Sequence, residues 1–152
     1  MIRTQTRMRL CVSLIVCCLT FIWGNSLLPG EISGVISDFF KRILQSLFEQ
    51  GESRSSGRLG FLVRKMAHFT EFTALGMSLC WLFGMLKKGW LLPVLCGAAA
   101  ACVDETIQVF VPGRGPSVRD VCIDSCGVLL GVILLTLGHH YLRRKHLEEN
   151  LI

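Results

Sequence analysis

The sequence predicts an all-α fold: an integral membrane bundle of four transmembrane helices with an external amphipathic interfacial helix. Three observations predict it. Hydrophobic residues make up 51% of the chain and charged residues only 18%, a balance that marks a membrane protein rather than a soluble domain of 152 residues. The apolar residues gather into four runs of about twenty, the length that crosses a hydrocarbon core of about 30 Å. The charges stand mostly at the ends of those runs and in one long loop. A single domain over 1–152 is expected.

The first predicted span covers 10–28. Arg3, Arg7 and Arg9 precede it, as they would a secretory leader, but Trp23-Gly24-Asn25-Ser26 offers no small-x-small cleavage site. Three more spans follow, so the segment is read as an uncleaved helix, ended by Pro29-Gly30. Over 31–49, Ile32, Val35, Ile36, Phe39, Ile43, Leu47 and Phe48 recur at three- and four-residue spacing opposite Asp38, Lys41, Arg42 and Glu49. That spacing predicts an amphipathic helix lying in the interface or capping the bundle. The stretch 50–60 is polar and aperiodic and reads as a flexible linker. Spans over 66–86 and 90–111 follow, and the short Lys87-Lys88-Gly89 link makes them an antiparallel hairpin. A turn rich in glycine and proline leads to the last span, over 121–142.

Lys and Arg tie in number on the two sides, but those at Arg3–Arg9, Lys87-Lys88 and Arg143–Lys145 are packed densely against helix ends. This density places both termini in the cytoplasm. The net charge of +5 does not point to nucleic acid, because no aromatic–basic platform accompanies it. All eight cysteines lie in predicted spans and none in the long loop, so they read as small packing residues rather than a disulfide framework.

Within these apolar runs a few polar residues stand out. Ionisable groups at membrane depth cost several kcal/mol (about 2.5–3.5 on insertion scales), so they require partners. Lys65, His68 and Glu71 share one face at the start of the second span. Asp104 and Gln108 share a face near the end of the third span, with Glu105 on its flank and Arg114 just beyond. Asp120, Asp124, Gly127 and Gly131 form one stripe on the fourth, where the glycines permit a close helix approach. The second and fourth spans begin on the side where the third ends, so all these residues fall at one level, in the outer leaflet. One shared polar pocket is the expectation. His68, Glu71, Asp104 and Glu105 are the candidate acid–base residues, and Lys65, Gln108, Arg114, Asp120 and Asp124 the candidate binding residues. The alternative is a structural ion-pair network in which the carboxylates and Arg64, Lys65, Arg114 and Arg119 neutralise one another. No cofactor is called for, although the oxygens and one imidazole are suited to a divalent metal. No serine elbow, Walker loop or activated cysteine is present.

These residues, in this order, resemble the VanZ-like family of bacterial membrane proteins. The matches are Lys65, His68-Phe69, Glu71-Phe72, Asp104-Glu105, Gln108, Phe110, Pro112-Gly113-Arg114, Asp120, Gly127 and Gly131, with Asn25-Ser26 as a weaker match at the end of the first helix. Asp124 departs from the pattern, standing where the family mostly has asparagine. The resemblance implies a multi-pass protein of the bacterial plasma membrane, acting at the cell envelope and linked to teicoplanin sensitivity. The expected partners are membrane lipids or a lipid-linked envelope precursor, which the protein either acts on as an enzyme or binds as a non-catalytic scaffold.

Overall fold

The computed structural model describes residues 2–29 and 56–149. The predicted amphipathic helix over 31–49 lies outside them. Four helices are described: α1 (Ile2–Ser26), α2 (Ser56–Met85), α3 (Leu91–Val109) and α4 (Val118–Glu149). Each is longer or shorter than the apolar run that predicted it. Helix α1 begins well before position 10, and α2 takes in 56–60, which the polar composition had assigned to a linker. Backbone hydrogen bonding continues through polar turns, so hydropathy marks where a helix enters lipid and not where it starts.

Among the described residues, three helices are long and apolar enough to cross a membrane: Thr4–Ser26, Leu91–Val109 and Val118–Glu149. Helix α2 has the length, with 30 residues, but His68, Thr70, Glu71 and Thr73 lower its hydropathy. Large apolar side chains such as Leu14, Val16, Phe21, Leu95, Ile133 and Leu134 are exposed on the outside of the bundle. An apolar exterior of this extent is what a lipid-facing surface requires.

Helices α2 and α3 form the predicted antiparallel hairpin. Helix α2 ends in a Schellman turn: Lys88 N–H donates to the Phe83 carbonyl at 2.9 Å, Lys87 N–H to that of Gly84 at 3.1 Å, and Lys87 takes a positive φ of 54°. Both hairpin helices touch α1 and α4, and the most extensive contact is between α2 and α4. The core joins Ile22 of α1, Phe72, Leu75 and Leu79 of α2, Ala101 of α3 and Val128 of α4.

Glycine sets the closeness of α2 and α4. A Cβ on Gly127 would collide with the Phe69 carbonyl, one on Gly131 with the Thr73 carbonyl, and one on Gly76 with the Val128 backbone. The two backbones therefore touch directly, as expected from the Gly127/Gly131 spacing. Cysteine serves the same tight packing. The Cys11 thiol donates to the Ser78 carbonyl at 3.2 Å, bridging α1 and α2, and the Cys80 thiol reaches the Val132 carbonyl at 3.9 Å.

Candidate functional site

The close α2–α4 approach decides what the polar residues meet. Going from Gly131 toward the start of α4, the same stripe reaches Gly127, then Asp124, then Asp120. It runs parallel to the α2 face carrying Phe72, His68 and Lys65. Lys65 ends in an ion pair with Asp120, each side chain about 15% exposed. One turn deeper, donor atoms of His68, Asp104 and Asp124 lie within 4.8 Å of one another. Asp104 and Asp124 are buried, at 0% and 3% exposure.

Gln108 is the hub of the α3 wall. Its side-chain NH2 donates to Asp104 Oδ2 at 2.8 Å and to Glu105 Oε1 at 3.2 Å, and lies 3.5 Å from Ser26 Oγ. Glu105, placed on the flank by its spacing, is buried and lines the pocket with Gln108. Its other oxygen accepts the Ser117 N–H at 2.7 Å. The Ser117 hydroxyl accepts the Asp120 N–H at 3.3 Å, the arrangement of a helix N-cap. Glu105 thus fixes the turn that positions the start of α4.

The polar groups converge from four helices rather than three. Asn25 at the end of α1 donates to Glu71 Oε1 at 3.2 Å, and Arg114 donates to the Ser26 carbonyl at 3.4 Å. Sequence reasoning noted Asn25-Ser26 only as a weak motif match and missed Ser117 altogether. The available signal was position: Asn25-Ser26 ends α1 at the level where α3 ends and α2 and α4 begin. Arg119, counted among the neutralising cations, is exposed and lines no part of the pocket.

Arg64, Lys65, His68, Glu105, Gln108, Arg114, Asp120 and Asp124 enclose a cavity of about 10 Å³. That is room for one water molecule or a bare ion. Glu71 turns toward α1 instead, with its free oxygen 3.9 Å from His68 Nδ1. Four buried atoms here have no hydrogen-bond partner: His68 Nδ1, Glu71 Oε2, Asp104 Oδ1 and Arg114 Nε. Burial lowers the Arg114 pKa from its usual value and Arg64 adds to this, while Asp104 and Glu105 oppose it. Among the described residues neither Arg64 nor Arg114 forms an ion pair, whereas Lys65 does.

An all-helical bundle with an apolar exterior and a polar, largely buried site at one end defines a multi-helix membrane protein. The VanZ/LLP1 family model matches residues 10–139, and the chain belongs to that family. No curated protein and no solved structure matches the chain.

Proposed function

We propose that this VanZ-like protein acts at the outer leaflet of the bacterial plasma membrane on the anionic head of a lipid-linked envelope component. In this reading α2 is the fourth span and both termini are cytoplasmic. The polar network supplies internal partners for α2's ionisable residues. The observation that carries the reading is the pair of pocket arginines, Arg64 and Arg114, with which no carboxylate forms an ion pair among the described residues. A network built only for stability would pair them, because a half-buried guanidinium without a counter-ion is costly. Guanidinium groups match phosphate geometry, and two of them at one pocket suit a phosphate-bearing head group.

In this scheme Arg64 and Arg114 hold the anion, Glu71 or His68 is the base, and Asp104 and Glu105 orient the site through Gln108. Lys65 and Asp120 keep the α2 and α4 walls in register. Binding or altering such a lipid is also how the protein would change teicoplanin sensitivity. The test is a strain whose only copy carries Arg114→Gln or His68→Ala, with membrane levels matched to wild type. Envelope lipid profile and teicoplanin sensitivity should revert to those of the deletion strain. If both stay at wild-type values, the proposal fails.

The small cavity favours a second reading, a binder that grips only part of a head group without transforming it. Under that reading Glu71→Asp and Lys65→Arg keep function. Catalysis would lose most of its rate to displacements of about 1 Å, roughly 100-fold.

A further inference from the structure

We infer that His68, Asp104 and Asp124 form a binding site for a divalent first-row transition ion, Zn²⁺ or Mn²⁺. The site lies inside the pocket assigned above, but the inference does not depend on the identity of any lipid substrate. Helices α2, α3 and α4 each contribute one ligand, and their donor atoms already lie within 4.8 Å of one another. A tetrahedral ion with bonds of about 2.0–2.2 Å holds its donors about 3.3–3.6 Å apart, so the donors close in by up to about 1.5 Å when it binds.

A cluster of carboxylates alone would not establish a site. Here Asp104 is fully buried, and its Oδ1 has no hydrogen-bond partner while Gln108 holds its Oδ2 at 2.8 Å. Gln108 therefore orients the carboxylate and leaves one oxygen open, the role a supporting amide plays around a metal ligand. His68 also makes no hydrogen bond, its buried Nδ1 standing 3.9 Å from Glu71 Oε2. One ion would satisfy the open Asp104 oxygen and take an imidazole nitrogen as a further ligand.

Charge and donor chemistry agree with this. Two carboxylates and a neutral imidazole around a doubly charged cation sum to zero, the least costly total in a low-dielectric bundle. One nitrogen and two carboxylates with no sulfur suit Zn²⁺ or Mn²⁺ better than a soft ion. The adjoining cavity of about 10 Å³, lined by His68 and Asp124, leaves space for one water or substrate oxygen on the ion. Asp124 supplies one of the two balancing charges, which an asparagine there would remove.

The experiment uses the untagged full-length protein in detergent, with Co²⁺ as the probe. Wild type should bind one equivalent, giving visible ligand-field absorption and a rise in thermal midpoint that EDTA reverses. His68→Ala and Asp104→Asn should each weaken binding at least about 10-fold, and Asp124→Asn about 10-fold, while Arg119→Ala leaves it unchanged. Absence of stoichiometric Co²⁺ on folded wild type overturns the inference. Wild-type affinity in both His68→Ala and Asp104→Asn overturns it too. If either variant does not fold, the wild-type midpoint shift decides, and no shift counts against the site. Metal content is read on purified protein and the envelope phenotype in cells, so failure of one proposal is distinguishable from failure of the other.

Discussion

The two ends of the bundle carry ionisable residues under opposite physical conditions. At one end Asp104, Glu105, Gln108 and Asp124 are buried, Gln108 donates to both Asp104 and Glu105, and a cavity of only about 10 Å³ lies beside them. At the other end Arg7, Lys88, His139, His140 and Arg143 are exposed and line an open cavity of about 570 Å³ that contains no carboxylate. The larger cavity is not where the buried ionisable residues are concentrated. Exposed cations are solvated by water or lipid phosphate and need no protein partner, so their positions report topology. Buried groups must satisfy one another, which requires distances fixed to tenths of an ångström and hence a rigid helix contact. Charge count alone does not separate these cases; burial does.

Several changes would break or sharpen this contrast. The largest effect is expected at the contact that holds the polar end together. Gly131→Leu drives a side chain into the Thr73 backbone. It should cost about 3 kcal/mol or more, seen as loss of a monodisperse, cooperatively unfolding species in detergent. Gly138→Ala on the same helix meets nothing within 4 Å and should be neutral or stabilising by up to about 1 kcal/mol. Next comes the Lys65–Asp120 pair. Removing Lys65 leaves a half-buried carboxylate, so Lys65→Met should destabilise by about 1–3 kcal/mol. A double-mutant cycle with Asp120→Asn should return a coupling of at least about 0.5 kcal/mol, and strict additivity would show that the pair does not act as one.

A smaller loss, about 1 kcal/mol, is expected for Ser117→Ala, which removes the cap of α4. Glu105→Ala should cost somewhat more, because it also leaves the half-buried Ser117 N–H without its acceptor. Thermal midpoints of the two variants rank them. The least effect on stability, within about 0.5 kcal/mol, should follow Lys88→Ala and Arg143→Ala. These changes should instead weaken the orientation signal, and labelling of single cysteines at either end would detect inverted molecules. If they destabilise the fold as much as Lys65→Met, the distinction between the two ends is wrong.

The comparison also shows where sequence reading stopped. His68 with Glu71, Asp104 with Gln108, and Asp120 with Asp124 were legible because helical period alone puts residues three or four apart on one face. Their common level was legible because a short link forces α2 and α3 to be antiparallel. Glu105 was legible as a pocket residue on the flank of that face, but its partner Ser117 was not, because it lies in an irregular turn where no period applies. Glu71 was placed with the pocket acids but bonds to Asn25 of α1, since helix period says nothing about which neighbour a face meets.

The sequence by itself determined the membrane class, the helical architecture, the family and nearly every residue of the polar site. Those follow from local properties: run length, hydropathy, spacing and motif order. Tertiary structure alone decided which groups touch. It paired Lys65 with Asp120, left Arg64 and Arg114 without carboxylate partners and brought α1 in through Asn25 and Ser26. It also drew His68, Asp104 and Asp124 into one cluster. The reason is that contact depends on the rotation and separation of packed helices. Here glycines at Gly76, Gly127 and Gly131 set both by letting backbones meet where any side chain would hold them apart.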